Sequence, residues 1–189
     1  MFAPAVGEAK HVKAKVCLVG DIGVGKTSLI KRFVLDTFDD RYIATIGTKV
    51  TKKTVPCVWR GSPARMDLVI WDIMGEKGFR QLLKESYFEG ASGILAMCDL
   101  TRRDTLADIY GWMDLARANA GDIPFVFLGN KADLKSKVVV QEPELAAIAE
   151  THGGAYWFTS AKSGLNVERA FQGLAKQIAR VVDASPPTP

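Results

Sequence analysis

The stretch Gly20-Asp21-Ile22-Gly23-Val24-Gly25-Lys26-Thr27 constrains the fold of this chain more than any other. Its glycines permit backbone turns that other residues resist. It follows the apolar run Val16-Cys17-Leu18-Val19 and leads into Leu29, Ile30, Phe33 and Val34 at helical spacing. A strand buried on both faces, a tight loop and a helix therefore come in that order. The loop also matches G-x-x-x-x-G-K-[ST] in full, a pattern whose chemistry is phosphate binding. Inward-turned N–H groups and the positive end of the helix cradle the anion. The expected contacts are Gly23, Val24, Gly25, Lys26, Thr27 and Ser28, with Lys26 reaching the β- and γ-phosphates. The Thr27 hydroxyl can ligate magnesium, a cation that takes few protein ligands. This loop specifies a nucleoside triphosphate without choosing the base.

The rest of the chain alternates strand and helix signals. Residues 48–58 are rich in Thr and Val and alternate, Gly61-Ser62-Pro63 marks a turn, and Met66–Trp71 completes a hairpin. Ile94–Cys98, Phe125–Leu128 and Ala155–Thr159 read as further strands. Leu106, Ile109, Tyr110, Met113 and Ala116 mark one helix face, residues 144–151 a short helix, and Val167 to Val182 a final amphipathic helix. Strands alternating with helices imply a mostly parallel sheet covered on both faces. In such sheets a ligand sits beyond the carboxyl ends of the strands.

A length of 189 residues suits one domain. Residues 1–11 read as a flexible N-terminal arm, 12–182 as the folded unit, and the Pro-rich residues 183–189 as a flexible tail. No apolar run approaches the ~20 residues of a membrane span, and no secretory signal is legible. Cys17 and Cys98 lie in apolar runs, so with Cys57 they read as free thiols of a reducing compartment. The net charge of +4 is dispersed, without the dense aromatic-interleaved stripe of a nucleic-acid surface. The expectation is a cytoplasmic monomer that binds no nucleic acid.

The base is chosen further on. Phe125–Gly129 ends in Asn130-Lys131-Ala132-Asp133. A carboxylate at Asp133 can accept from the N1–H and the exocyclic amine of guanine, and adenine offers no such pair. A buried anion left unpaired would penalise the wrong base. Asn130 can hold the loop or reach the base N7, and the Lys131 stem can cover one base face. Ser160-Ala161-Lys162 follows the last strand, where the Ala161 N–H can meet the guanine O6. An ATP-using kinase with the same phosphate loop would have no use for Asn130–Asp133.

Together these residues resemble the Ras-like small GTPases, closest to the Rab-type branch, over roughly residues 13–182. The resemblance implies a P-loop NTPase G domain: an α/β fold with a six-stranded, mostly parallel sheet, one strand antiparallel, flanked by five helices. It implies a switch that binds GTP or GDP with magnesium and hydrolyses GTP. Tyr42-Ile43-Ala44-Thr45-Ile46-Gly47 is similar to the first switch, with Thr45 a magnesium ligand and a sensor of the γ-phosphate. Phe38 stands where the family sets an aromatic edge against guanine. Trp71-Asp72-Ile73-Met74-Gly75 is similar to the start of the second switch. Asp72 would hold magnesium through water, and the Gly75 N–H would touch the γ-phosphate. The implied catalytic set is Lys26, Thr45, Gly75 and Glu76. Unidentified effectors and regulators would dock on residues 36–47 and 72–88.

Three departures stand out. Glu76 occupies the place of a glutamine that orients the attacking water, so hydrolysis is expected to be slow. The alternative is a signalling module that binds nucleotide with negligible turnover. Ile22 replaces a small residue and would crowd an arginine supplied in trans. Ile73 and Met74 are more apolar than usual, and with Trp71 and Phe79 they offer either a partner-binding patch or core. No prenylation or myristoylation pattern is present, so membrane contact is expected only through partners or the basic surface.

Overall fold

The computed structural model describes residues 10–41, 45, 47–73, 75 and 87–184. In chain order these form β1 (Lys10–Val19), α1 (Lys26–Leu35), β2 (Thr48–Trp59), β3 (Ser62–Ile73), β4 (Ala91–Asp99) and α2 (Arg103–Ala120). There follow β5 (Phe125–Asn130), a 3-10 turn (Lys135–Lys137), α3 (Glu142–Thr151), β6 (Ala155–Phe158) and α4 (Val167–Ala184). Six strands make one sheet in the order β2-β3-β1-β4-β5-β6. Only the β2–β3 pair is antiparallel. The described residues hold four α-helices beside the 3-10 turn, one helix short of the five expected.

Alternation along the central strands divides the interior in two. From β1, Val16 and Leu18 face α1 and α4 with Leu29, Phe33, Phe171 and Leu174. Cys17 and Val19 face the other way, with Ile109, Trp112 and Met113 of α2 and Leu145 of α3. Helices thus cover both faces, as a parallel sheet requires. Phe33 stacks on Phe171 with ring centroids 3.8 Å apart, which locks α1 to α4.

Several boundaries differ from the sequence reading. Strand β1 starts at Lys10, six residues before its apolar run, because Val12 and Ala14 alternate inward between lysines. Residues 10 and 11, assigned to the arm, pair with Ala64 and Arg65. The hairpin turn is Arg60-Gly61 rather than Gly61-Ser62-Pro63. Both turn residues have positive φ (49° and 75°), which suits the right-handed twist of a two-residue hairpin, and Ser62 and Pro63 already pair in β3. Helix α4 runs to Ala184, and its Asp183 accepts from the Arg60 N–H at 2.8 Å. Among the described residues no helix is long and apolar enough to cross a membrane.

Candidate nucleotide site

Parallel strands end on one edge, and the functional residues hang from those ends. Leu18 in β1 pairs with Asp72 in β3, and Asp99 in β4 pairs with Asn130 in β5. A cleft of about 700 Å³ lies along this edge. Of the expected site residues, Gly23, Gly25, Lys26, Thr27, Ser28, Phe38, Thr45, Asp72, Gly75, Asn130, Lys131, Asp133, Ala161 and Lys162 line it. Val24 and Ser160 do not: both are fully buried behind the wall. Tyr42 and Glu76 lie outside the described residues, as do Met74 and Phe79.

The phosphate end is built on close backbone approach. Gly20 has φ 143°, and a Cβ there would lie 2.3 Å from the Met97 carbonyl oxygen. Gly25 has φ 102°, and its Cβ would lie 2.3 Å from Asn130 Nδ2. Neither position accepts a side chain. Gly25 also caps α1 without any side-chain hydrogen bond. Among the described residues nothing accepts the N–H groups of Gly23, Val24 and Gly25. Open N–H groups at a helix start form an anion site. Lys26 is buried, and its Nζ donates to the carbonyls of Gly20 (2.7 Å) and Asp21 (2.9 Å), which aims the ammonium along the loop.

Three oxygen donors converge beside Lys26. Thr27 Oγ1 lies 2.7 Å from Thr45 Oγ1 and donates to Asp72 Oδ2 at 2.5 Å. Asp72 Oδ1 is buried without a partner among the described residues. Burial pushes the Asp72 carboxyl above its ordinary value, against the Thr27 hydrogen bond and the nearby Lys26 charge. Two hydroxyls and an unsatisfied buried carboxylate fit a small hard cation such as magnesium. Gly75 lies against the loop crest: a Cβ there would come within 2.6 Å of the Asp21 carbonyl and the Ile22 N.

At the base end Asn130 is a tie. Its Nδ2 donates to the Val24 carbonyl (2.9 Å), and its Oδ1 accepts from the Ala161 N–H (3.2 Å) and Thr159 Oγ1 (3.3 Å). All three of these side-chain bonds hold loops together. Ser160 Oγ donates to Asp133 Oδ1 at 2.6 Å and fixes that carboxylate. Lys131 adopts a left-handed backbone (φ 68°), and its Nζ donates to Asp99 Oδ2 at 2.6 Å. Lys162 Nζ sits 6.0 Å from the Phe38 ring centroid and 3.0 Å from Asp40 Oδ1.

Sequence reasoning missed three supports. Arg32 of α1 donates to the carbonyls of Ala161 (2.8 Å) and Lys162 (2.7 Å). Asp99, buried at the end of β4, accepts from both Lys131 and Arg102. Arg102 also donates to the Ile22 carbonyl. A charged residue directly after an apolar strand was the available sign of Asp99; nothing local marks Arg32 or Arg102. The apolar second-switch pair resolves in part: Ile73 is core. Trp71 is half-buried, with Lys15 Nζ 4.0 Å over its ring and the Tyr87 hydroxyl donating to its carbonyl at 2.6 Å.

A phosphate loop, a hydroxyl–carboxylate cluster and a guanine-type loop on one sheet edge define a guanine-nucleotide-binding P-loop protein. The model of the Ras family matches residues 15–180, and the chain belongs to that family. It is similar to the Ras-related protein Rab-13 of Bos taurus, 38% identical over 165 residues that cover 87% of this chain and 79% of that one. It is also similar to Rab-8B of Dictyostelium discoideum (35% over 192 residues, 100% of this chain and 92% of the relative). RABE1d of Arabidopsis thaliana is 39% identical over 166 residues, 87% of this chain and 74% of its own. The chain is thus a Rab-type small GTPase, which binds guanine nucleotide and hydrolyses GTP.

Proposed function

We propose that the chain is a magnesium-dependent GTP/GDP switch with slow turnover, because Glu76 stands where a glutamine would orient water. The supporting observation is the meeting of Thr27, Thr45 and Asp72 beside Lys26. Thr45 comes from one candidate switch, residues 36–47, and Asp72 with Gly75 from the other, residues 72–88. Ligands that draw these residues to one point order both segments, and their loss releases them. Effectors and regulators would read the two segments. The folded unit from Lys10 to Ala184 would be the switch domain.

Thr27, Thr45 and Asp72 would hold magnesium, which when bound supplies charge stabilisation to the phosphate oxygens. Lys26 and the N–H groups of Gly23, Val24, Gly25 and Gly75 would hold and polarise the phosphates. Asp133 would recognise guanine, the Ala161 N–H would be shared between Asn130 Oδ1 and the base O6, and Phe38, Tyr42, Lys131 and Lys162 would pack around the base. A carboxylate at position 76 accepts from water as glutamine does. It lacks the amide donor, however, and adds negative charge beside the γ-phosphate, which opposes the transition state. Single-turnover hydrolysis of bound GTP tests this. Glu76→Gln is expected to be at least about tenfold faster than wild type, about 1.4 kcal/mol of barrier. Equal rates would remove the role given to Glu76.

A further inference from the structure

We propose that Arg102 is a positioning residue for the phosphate loop: anchored on Asp99, it fixes the Ile22–Gly23 peptide so that the Gly23 N–H faces the phosphates. Arg102 precedes α2 and lies 80 residues from Ile22 in sequence. Its Nη2 donates to the Ile22 carbonyl at 2.7 Å. Every described peptide bond is trans, so the carbonyl of Ile22 and the N–H of Gly23 point in opposite directions. Gly23 lines the cleft and Arg102 does not. A donor that holds the carbonyl from outside therefore turns the N–H inward. It also polarises the amide and makes that N–H a stronger donor.

The anchor is rigid. Arg102 Nε donates to Asp99 Oδ2 at 3.2 Å, and Lys131 Nζ donates to the same oxygen at 2.6 Å. Asp99 Oδ1 accepts from the Thr101 N–H (2.9 Å) and hydroxyl (2.7 Å). The carboxylate is buried, which alone would raise its pKa, but the bonds from Lys131 and Thr101 outweigh burial and hold it below the ordinary carboxylate value, so it stays ionised. Ile22 is clamped from the other side too, because its N–H donates to Asp21 Oδ1 at 2.7 Å. Without Arg102 the described residues would leave the Ile22–Gly23 peptide only the Asp21 contact of its neighbour. Position 23 is a glycine in the left-handed region (φ 73°), where peptide reorientation is cheap.

This inference rests on the nucleotide reading of the cleft, which GDP binding to wild-type protein with magnesium tests by itself. The inference is tested by Arg102→Ala and Arg102→Lys, each loaded with GDP and magnesium. Two quantities are read: the GDP dissociation rate, and the Gly23 amide resonance in a proton–nitrogen correlation spectrum. In Arg102→Ala the rate should rise about tenfold, as befits one charge-assisted contact, and the Gly23 amide proton should move upfield as its bond to phosphate weakens. Arg102→Lys keeps the charge but has only one ammonium for two partners, so it should fall between wild type and alanine on both readouts. It also carries the test if the alanine variant does not fold. A Gly23 resonance that stays in place in the folded variants overturns the proposal, whatever the dissociation rate does.

Discussion

Asn130→Ala separates two ways in which one side chain can serve a nucleotide. Asn130 is 2% exposed, and its side chain bonds to the Val24 carbonyl, the Ala161 N–H and the Thr159 hydroxyl. Truncation strands the first two. Both belong to buried residues, and an orphaned buried backbone group costs about 1–3 kcal/mol. The Thr159 hydroxyl can rotate to another acceptor, so it adds little. The Ala161 bond, at 3.2 Å, lies at the long end of the range and counts towards the lower figure. The sum is about 3 kcal/mol, a shift of roughly 6–12 °C in thermal midpoint for a domain of this size. The assay is thermal unfolding of nucleotide-free protein, with GDP dissociation measured beside it. The tie predicts a loss of stability with no nucleotide present, and faster GDP release. A residue that acted only on the base would speed release and leave the empty protein unchanged. A loss below about 1 kcal/mol in the empty protein would refute the reasoning.

Two further outcomes follow from the site and the core. Asp72 has a raised folded-state value, so its contribution to stability is present at low pH and is lost as pH rises through that value. In chelator without nucleotide, Asp72→Asn should therefore be at least as stable as wild type at pH 7, with the difference gone near pH 4. Magnesium and GDP should reverse the order, since the carboxylate then holds the cation. Thermal midpoints across pH decide it, and a variant less stable than wild type at pH 7 in chelator would sink the argument. Burial pushes the Cys17 and Cys98 thiols up to about 12, whereas Cys57 is only half-buried. Iodoacetamide at pH 8 should thus label Cys57 alone in native protein, as read by mass spectrometry. Labelling of Cys17 or Cys98 at the Cys57 rate would contradict the packing.

What was legible in the sequence was what lies close together along it. Gly20–Thr27 carries its own strand, turn and helix start, so the loop could be placed from eight residues. Asn130–Asp133 gained meaning only from its position in strand order. Apolar runs located the strands inside the sheet, which need residues apolar on both sides, whereas the edge strand β2 was legible from its alternation of Thr and Val. The runs misplaced the start of β1, where alternate lysines face solvent and only Val12 and Ala14 turn inward. The turn at Arg60 was hidden because arginine is no turn signal, yet its φ is positive. The long-range ties were the least legible. Arg32 reaches a carbonyl 129 residues away, and Asn130 one 106 residues away. Surface arginines are common, and only the assembled sheet shows which one meets a bare carbonyl. The loop ties of Asn130 become visible only with the Val24 carbonyl in place.

The strand order also governs the sequence of events while the chain is being made. β1 emerges first but lies between β3 and β4, so its second neighbour does not exist until residue 99 has been added. One face of β1 then waits longer still. Phe171, Leu174 and Ile178 of α4 close that side, with Phe171 stacked on Phe33 and Leu174 pressed against Gly93. In a nascent chain that stops short of α4 that face of the sheet is therefore covered by α1 alone, and the apolar side of α1 carrying Phe33 is left without its partner. Pairings this distant in sequence form slowly, and an uncovered apolar surface of this kind recruits other chains. The fold that brings the ends of β1, β3 and β5 to one nucleotide cleft thereby delays its own completion until the last helix is synthesised.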